Sequence, residues 1–283
     1  MLPLVAETIV DVRNAVAAAR REGKTIGLVP TMGALHAGHA SLIRAARSRT
    51  DFTIVSIFVN PTQFGPNEDF SRYPRTFDAD RELCGAVGVN LVFAPSRVEI
   101  YSEAFATWVD VQGLGDHLCG ASRPGHFRGV ATVVLKLFNI VLPDIAFFGQ
   151  KDAQQARILQ KLAEDLNLLV RVEVLPTVRE SDGLAMSSRN RYLDPVQRKH
   201  AVVLFRALER AKERFVAGER EAASIESLLS AEVASTPGAR LDYARVVDAL
   251  SLQPVAMIER SALAAMAVYF GSTRLIDNTI LTP

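Results

Sequence analysis

The stretch TIGLVPTMGALHAGHASLIRAARSR, residues 25–49, decides the fold prediction, because it is typical of a strand, a tight turn and a helix in direct succession. Residues 25–31 are rich in strand-forming residues, which predicts a short strand, and the run ends in Pro and Thr. Residues 39–49 then place apolar side chains at helical spacing. A strand followed at once by a helix is the repeating unit of a parallel α/β sheet.

The same alternation continues to residue 176. Further strands are predicted at 52–59, 90–96, 145–149 and 171–177, and further helices at 78–88, 129–141 and 152–166. Strands separated by helices pair in parallel through right-handed crossovers. The N-terminal segment 2–23 contains acidic and basic residues throughout, so we predict one amphipathic helix there and not a signal peptide.

The pattern changes after residue 176. A polar loop at 179–190 is followed by predicted helices at 194–215 and 219–233, then by predicted strands at 241–249, 264–271 and 274–281. We therefore predict an α/β protein with a parallel-sheet domain over residues 1–176 and a smaller α+β domain over residues 177–283.

Composition excludes several classes of function. Among 283 residues, 32 Lys and Arg are balanced by 31 Asp and Glu, which argues against nucleic-acid or anionic-membrane binding. No uncharged apolar run approaches membrane-spanning length. Cys84 and Cys119 are too few for a zinc quartet or a disulfide framework, so we expect two reduced, buried thiols in a cytoplasmic protein.

Candidate chemistry lies where strands end, because ligands of parallel sheets bind beyond the carboxyl ends of the strands. After the first strand, Gly33 and Gly38 allow a tight turn and close approach of a ligand, and the following helix offers a phosphate site at its N-terminus. His36 and His39 lie three residues apart and can face one ligand. A structural turn with surface histidines, or half of a metal site, are the alternatives.

Two further segments carry groups suited to phosphate. Lys151 follows the strand that ends at Gly149 and can reach a phosphate as a point charge. Ser187, Ser188 and Arg189 form a potential clamp in the polar loop. The alternatives are a helix capped by Asp152 with a solvated lysine, and an ordinary Ser-rich loop.

Other polar groups have two open interpretations each. Asn60 and Gln63 are neutral amides at a strand end, and they suit either a ligand or a turn. Asp78 and Asp80 could assist Mg²⁺ or merely begin a helix. A small basic cluster before the next helix, either a ligand contact or a solvated loop, consists of Arg123, His126 and Arg128.

Six motifs together resemble the pantothenate synthetase family, because they occur in that family in this order and at these separations. They are PTMGALHAGH (30–39), FVNPTQF (58–64), YPRT (73–76), RPGHFRGV (123–130), GQKDAQQ (149–155) and DGLAMSSRN (182–190). The resemblance covers nearly the whole chain. In its nucleotide-binding core the family is similar to class I aminoacyl-tRNA synthetases: His36-x-Gly38-His39 resembles their His-Ile-Gly-His signature, and residues 186–189 resemble their mobile Lys-Met-Ser-Lys-Ser loop.

This resemblance implies a Rossmann-like nucleotide-binding domain, a smaller C-terminal lid domain and a homodimer, with ATP, Mg²⁺, (R)-pantoate and β-alanine as ligands. The ATP-binding residues that it implies are Met32, Gly33, Ala34, Leu35, His36, Ala37, Gly38, His39, Gly149, Gln150, Lys151, Asp152, Val178, Met186, Ser187, Ser188 and Arg189. Gln63 and Gln155 are the implied substrate-binding residues, and the implied catalytic residues are His39 as proton donor, with His36, Lys151, Ser187, Ser188 and Arg189. No Mg²⁺ ligands are assigned.

The implied reaction condenses pantoate with β-alanine through a pantoyl-adenylate and releases AMP and pyrophosphate. One position departs from the family pattern, because Gln150 stands where Glu is common. Two rival interpretations stay open at this point: a nucleotidyltransferase whose product keeps the nucleotide, and an inactive nucleotide-binding sensor. Retention of both histidines, Lys151 and Arg189 argues against the sensor.

Overall fold

The computed structural model describes residues 2–66 and 68–283. The helices are α1 (Ile9–Arg21), α2 (Ala37–Arg49), α3 (Phe77–Ala86), α4 (Arg97–Ile100), α5 (Cys119–Ser122), α6 (His126–Val141), α7 (Ala153–Asp165), α8 (Pro195–His200), α9 (Val203–Val216) and α10 (Ala222–Ala234). Single 3₁₀ turns lie at Pro61–Gln63, Asp69–Ser71, Gln150–Asp152 and Ser188–Tyr192. Within the described chain, no helix combines the length and apolar character needed to cross a bilayer.

The strands form two separate sheets. They are β1 (Leu4–Ala6), β2 (Ile26–Thr31), β3 (Phe52–Ile57), β4 (Leu91–Phe93), β5 (Ile145–Gly149), β6 (Arg171–Leu175), β7 (Ala239–Asp248), β8 (Ala262–Phe270) and β9 (Thr273–Leu281). The first six pair in parallel in the order β1-β4-β3-β2-β5-β6, and the last three pair antiparallel in the order β7-β8-β9. The predicted α/β class, with a smaller α+β part, is confirmed.

The centre of the parallel sheet explains why the first strand could be predicted. β2 and β3 run in register from Ile26 opposite Phe52 to Thr31 opposite Ile57. Val29, Val55 and Phe147 are fully buried in one apolar layer beneath α2. Strands of a parallel sheet are covered on both faces, so they appear in sequence as almost continuous apolar runs.

The predicted N-terminal helix over residues 2–23 is wrong at its beginning. Residues Leu4–Ala6 form β1, which pairs with β4 at the edge of the sheet. The helix begins only at Ile9, because the Thr8 hydroxyl accepts the backbone N–H of Asp11 at 3.1 Å and caps it. A strand of three residues is too short to show a periodic signal.

The predicted single helix over residues 194–215 is also wrong, because α8 and α9 are separate. Asp194 caps α8, and Pro195 occupies its first position. After His200 the α-helical hydrogen bonding is interrupted, because the Leu204 N–H donates to the Ala201 carbonyl, three residues back, at 3.2 Å. Apolar spacing continues across this break, so periodicity alone does not reveal it.

The antiparallel sheet has its own core. One face of β7-β8-β9 packs against α9 and α10, with Leu208, Leu229 and Met266 at most 1% exposed. This core does not depend on the parallel sheet for its buried apolar surface, which is the property expected of a separate compact domain.

The chain divides into two compact units whose boundaries differ from the predicted contiguous ranges. The first unit comprises Met1–Val111, Pro124–Gly149 and Ile158–Pro176, and the second comprises Gln112–Arg123, Gln150–Arg157 and Thr177–Pro283. The buried side chain of Gln154 links two of the second unit's inserted segments. It accepts the Cys119 N–H at 3.0 Å and donates to the Leu114 and His117 carbonyls at 2.8 and 2.7 Å.

Both cysteines are free and buried, as expected from the sequence. Burial raises the pKa of the Cys84 thiol to about 12, with a smaller contribution from the Asp80 carboxylate. We therefore expect Cys84 in a Cys119→Ser variant to remain unmodified by a thiol reagent at pH 8, because the thiolate is the reactive form. Full modification after denaturation is the control, and modification of the native variant at the rate of a free thiol would contradict the assignment.

Candidate active site

The turn between β2 and α2 has an unusual backbone. Gly33 has φ +79° and the buried Ala34 has φ +50°, so two consecutive residues lie in the left-handed region. The Thr31 hydroxyl begins the turn by donating to the Ser56 carbonyl at 2.7 Å and accepting the Gly33 N–H at 3.2 Å. Gly38, which was expected in the turn, instead lies in the first turn of α2.

Asp80 holds this turn in place. Its Oδ2 accepts the Ala34 N–H at 2.9 Å and its Oδ1 accepts the Leu35 N–H at 2.7 Å, and the residue is 2% exposed. Both carboxylate oxygens are thus used inside the protein. The helix-start interpretation is confirmed, because Asp78 and Asp80 lie in the first turn of α3, but neither it nor the Mg²⁺ interpretation anticipated these bonds to the turn. Such support of a left-handed residue offsets its conformational cost.

We expect Asp80→Asn to weaken the fold and the site together. An amide retains one acceptor oxygen and presents an NH₂ group where the other oxygen stood, so one buried backbone N–H loses its partner. That loss costs about 1–3 kcal/mol of unfolding free energy, measurable by urea denaturation. Asp78→Asn, at an exposed position on the same helix, is the matched control. Equal stability of the two variants would contradict this role for Asp80.

His36 and His39 form a reciprocal cap at the beginning of α2. The His36 N–H donates to Nδ1 of His39 at 3.3 Å, and the Gly38 N–H donates to Nδ1 of His36 at 3.1 Å. The two ring centroids are 4.1 Å apart. An imidazole that accepts at Nδ1 carries its hydrogen on Nε2, so both rings are Nε2–H donors. The site therefore combines two oriented donors with the positive end of a helix dipole.

Asn60 orients Gln63 at the end of β3. The Asn60 Nδ2 group donates to Oε1 of Gln63 at 3.0 Å and to the Gly129 carbonyl at 3.2 Å. The Tyr101 hydroxyl donates to Oδ1 of Asn60 at 3.0 Å, and burial raises the pKa of that hydroxyl. With Oε1 engaged, the amide nitrogen of Gln63 points the other way and donates to Sδ of Met32 at 3.1 Å. The structure therefore brings two predicted site residues, Met32 and Gln63, into direct contact.

Glycine at 129 makes this packing feasible. A Cβ atom at Gly129 would lie 2.4 Å from the Thr62 carbonyl oxygen and 2.8 Å from the Gln63 nitrogen. The N-terminal end of α6 therefore touches the backbone of the 3₁₀ turn that carries Gln63. Any larger residue at 129 would push this turn away.

The three residues of the basic cluster predicted from RPGHFRGV belong to different units. His126 is buried, and its Nδ1 lies 2.7 Å from the Gln63 carbonyl oxygen. The exposed Arg128 stacks on Trp108, 4.8 Å from the ring centroid. Arg123 belongs to the second unit. The interpretation of this segment as a solvated loop is wrong for His126, which begins α6 and supports the Gln63 turn.

In the second unit, Gln150, Lys151 and Asp152 form one 3₁₀ turn. The Lys151 ammonium is 3.8 Å from an Asp152 carboxylate oxygen. The backbone carbonyls of Gln150 and Lys151 each accept a hydrogen bond from Nδ2 of Asn278 at 2.9 Å. Gln155 lies half-buried on α7, next to the buried Gln154.

The predicted polar loop has defined structure. An isolated antiparallel bridge joins Arg179 to Ala185, and the Met186 N–H donates to the Val178 carbonyl at 3.0 Å. Ser187 caps the 3₁₀ turn that follows, because its hydroxyl accepts the Arg189 N–H at 3.2 Å. Ser188 is buried. The segment is a short hairpin that leads into a capped turn.

Some residues that shape the site gave little sequence signal. Asp80 and Tyr101 act on the turns of the first unit, and Asp277 and Asn278 act on those of the second. Each of them bonds to a segment many residues away in the chain. Among residues 2–66 and 68–283, no three His, Cys, Asp or Glu side chains lie close enough together to hold a metal ion.

Comparison with known proteins shows which family this chain resembles. The family model described as pantoate-beta-alanine ligase matches residues 4–280. A pantothenate synthetase from Moorella thermoacetica is 57% identical over 275 residues, covering 97% of each chain. One from Pelotomaculum thermopropionicum is 55% identical over 278 residues, covering 98% of this chain and 99% of its own.

Solved structures agree. A pantothenate synthetase from Thermus thermophilus superposes with a TM-score of 0.94 at 43% identity, covering 99% of this chain and 100% of that one. A pantoate-beta-alanine ligase from Francisella tularensis, complexed with beta-gamma ATP and beta-alanine, gives a TM-score of 0.79 at 33% identity, covering 98% and 97%. From the family match and the near-complete coverage at high identity, this chain belongs to the pantoate–beta-alanine ligase family.

Proposed function

We propose that this ligase condenses (R)-pantoate with β-alanine in two steps, through a pantoyl-adenylate. In the first step a pantoate carboxylate oxygen attacks the α-phosphorus of ATP and pyrophosphate leaves. In the second step the β-alanine amine attacks the acyl carbon and AMP leaves. The observation that carries this proposal is that Nδ1 of both His36 and His39 accepts a backbone N–H at the beginning of α2, which assigns the ring hydrogen of each to Nε2.

Negative charge develops on the phosphate oxygens in the first step. The proposed ATP site stabilises this charge with hydrogen-bond donors that are already in position. His36 and His39 donate from Nε2, and the backbone N–H groups at the start of α2 add their dipoles. Lys151 contributes a positive charge. We propose ATP contacts for the residues named from the resemblance: Met32, Gly33, Ala34, Leu35, His36, Ala37, Gly38, His39, Gly149, Gln150, Lys151, Asp152, Val178, Met186, Ser187, Ser188 and Arg189.

Pantoate is proposed to bind against Gln63, with Gln155 as a second contact. The direction of the Gln63 amide supports this proposal, because Asn60 fixes its oxygen and leaves the NH₂ group as the donor. A neutral donor can bind a carboxylate without the strong ground-state stabilisation of an arginine. The carboxylate therefore keeps its nucleophilic character.

No residue of the protein is proposed as a Mg²⁺ ligand. The described residues offer no set of three carboxylate or imidazole ligands, and both oxygens of Asp80 already accept backbone N–H groups. Mg²⁺ in phosphoryl-transfer sites is often held mainly by the phosphates of the substrate. We propose that it enters with ATP as part of that substrate.

The second step needs the adenylate to survive until the amine arrives. We propose that Ser187, Ser188 and Arg189 order over the triphosphate and keep water away, in the manner of a lid. The hairpin that joins Arg179 to Ala185 gives this segment a fixed base. A homodimer, which rests on the family resemblance, and a cytoplasmic location, which rests on composition, are part of the same proposal.

The test is to measure AMP with ATP, Mg²⁺ and pantoate, with and without β-alanine. We expect multiple turnovers of AMP only when β-alanine is present, with at most one equivalent of enzyme-bound adenylate without it. Turnover of ATP to AMP that is indifferent to β-alanine would contradict the ligase. A product that retains the nucleotide would indicate a nucleotidyltransferase, and no turnover would indicate a sensor.

A further inference from the structure

Two adjacent residues of β9 connect the two second-unit segments to which the proposed function assigns ATP contacts. Asp277 bonds to the hairpin that precedes Met186, and Asn278 bonds to the turn that carries Lys151. Both are buried, at 2% and 5% exposure. We propose that Asn278 is a positioning residue for Lys151, and that Asp277 is its counterpart for the Ser187–Arg189 segment. This inference rests on the proposed function.

The Asn278 side chain uses all its hydrogen-bonding groups on one turn. Nδ2 donates to the carbonyl oxygens of Gln150 and Lys151, both at 2.9 Å, and Oδ1 accepts from Nε2 of Gln150 at 3.0 Å. A 3₁₀ turn of three polar residues has little apolar burial of its own to fix it. Asn278 of β9 therefore holds the backbone from which the Lys151 side chain projects.

Asp277 anchors the other segment. Its two oxygens accept hydrogen bonds from the two terminal nitrogens of Arg179, at 2.6 and 3.1 Å. The Arg179 guanidinium also donates to the Gly183 carbonyl at 3.0 Å. Phe205 covers that guanidinium at 4.9 Å from its ring centroid. Asp277 and Asn278 are joined in turn, because the Asn278 N–H donates to Oδ1 of Asp277 at 2.8 Å.

This arrangement matters because both segments are proposed to act on one triphosphate. Groups that stabilise developing charge must be held to within a fraction of an ångström, and a displacement of about 1 Å can cost about 10²-fold in rate. One strand that bonds to the Lys151 turn and to the hairpin preceding Met186 fixes the distance between that turn and that hairpin. Nothing in this role requires Asp277 or Asn278 to touch a ligand.

Asn278 is the better residue to test, because removing Asp277 would leave Arg179 without its buried partner and destabilise the unit. Asn278→Asp is nearly isosteric, but it turns an oxygen toward the two carbonyl oxygens. We expect kcat to fall by about 10²-fold, with the KM for β-alanine changed by less than about threefold. Hydrogen exchange at residues 150–152 of the free protein should rise as well.

Two controls separate positioning from general loss of structure. Asn139→Asp removes the same type of bond, Nδ2 to a backbone carbonyl at 3.0 Å, at an exposed site on α6. Leu229→Ala opens a cavity in the core of the second unit and lowers its melting temperature. We expect both variants to keep kcat close to that of the parent at a temperature where they remain folded.

A double-mutant cycle with Lys151→Ala gives the decisive result. If Asn278 acts through Lys151, then adding Asn278→Asp to Lys151→Ala changes kcat by less than about threefold, because the group it positions is already gone. The inference would be overturned if the kcat losses of the two single variants multiplied in the double variant, or if hydrogen exchange at residues 150–152 did not change in Asn278→Asp. Either result would leave the proposed function intact. A parent enzyme that makes no AMP would instead overturn the proposed function, and the catalytic part of this inference with it.

Discussion

His39→Ala is expected to lower the rate of pyrophosphate release by about 10²–10³-fold while the protein stays folded, because one preorganised donor to the phosphates is lost. The structure adds a second consequence. Nδ1 of His39 accepts the His36 N–H, so the alanine also removes part of the helix cap. That loss should lower the unfolding free energy by about 1 kcal/mol.

Two conservative variants separate the cap from the chemistry. Asparagine can place its oxygen near the position of Nδ1, whereas glutamine can place its NH₂ group near the position of Nε2. We therefore expect His39→Asn to recover stability but not activity, and His39→Gln to recover part of the activity. Pyrophosphate release at near-parental rate in His39→Ala, or recovery of activity by His39→Asn, would contradict the role of the Nε2–H donor.

Gln63→Glu is expected to raise the KM for pantoate by about 10³-fold, with ATP affinity and melting temperature little changed. A second carboxylate about 4 Å from that of pantoate repels it by roughly 4 kcal/mol at an effective dielectric near 20. The fold should tolerate the change, because glutamate still offers an oxygen to Nδ2 of Asn60. What it removes is the NH₂ group that donates to Met32.

Steady-state kinetics with pantoate varied at saturating ATP give the measurement. Gln253→Glu, at an exposed position of the second unit to which no ligand contact is assigned, adds the same charge and serves as the control. A pantoate KM for Gln63→Glu within about threefold of the parent corresponds to only ~0.7 kcal/mol. That result would mean that Gln63 only completes the turn after β3 and does not contact the pantoate carboxylate.

The elements that sequence predicted well have strong local signals. β2 and α2 are recognisable because a continuous apolar run is followed by helical spacing, and α6 because its apolar positions recur over four turns. β1 gave no such signal, since three residues at a sheet edge have no period. The break between α8 and α9 gave no signal, because no Gly or Pro marks it and the buried apolar positions from Ala201 onward keep helical spacing.

The residues of the candidate site also fall into those that the sequence could predict and those that it could not. The two histidines and Lys151 could be proposed because each follows a strand end in a motif of recognisable spacing. The actual roles of Asp80 and Asn278 could not, because each acts on backbone groups that are distant in the chain: 46 residues separate Asp80 from Ala34, and 128 separate Asn278 from Gln150. Side chains that bond to distant backbone are determined by tertiary structure, which local pattern does not encode.

In the proposed reaction, pantoate is activated when one of its carboxylate oxygens bonds to the α-phosphorus of ATP. The most direct test supplies pantoate labelled with ¹⁸O in its carboxylate, together with ATP and β-alanine, and analyses the nucleotide product by mass spectrometry. AMP is expected to carry one labelled oxygen, because the C–O bond breaks in the second step and the bridging oxygen leaves with the phosphate. Unlabelled AMP, or ADP with labelled inorganic phosphate, would contradict it.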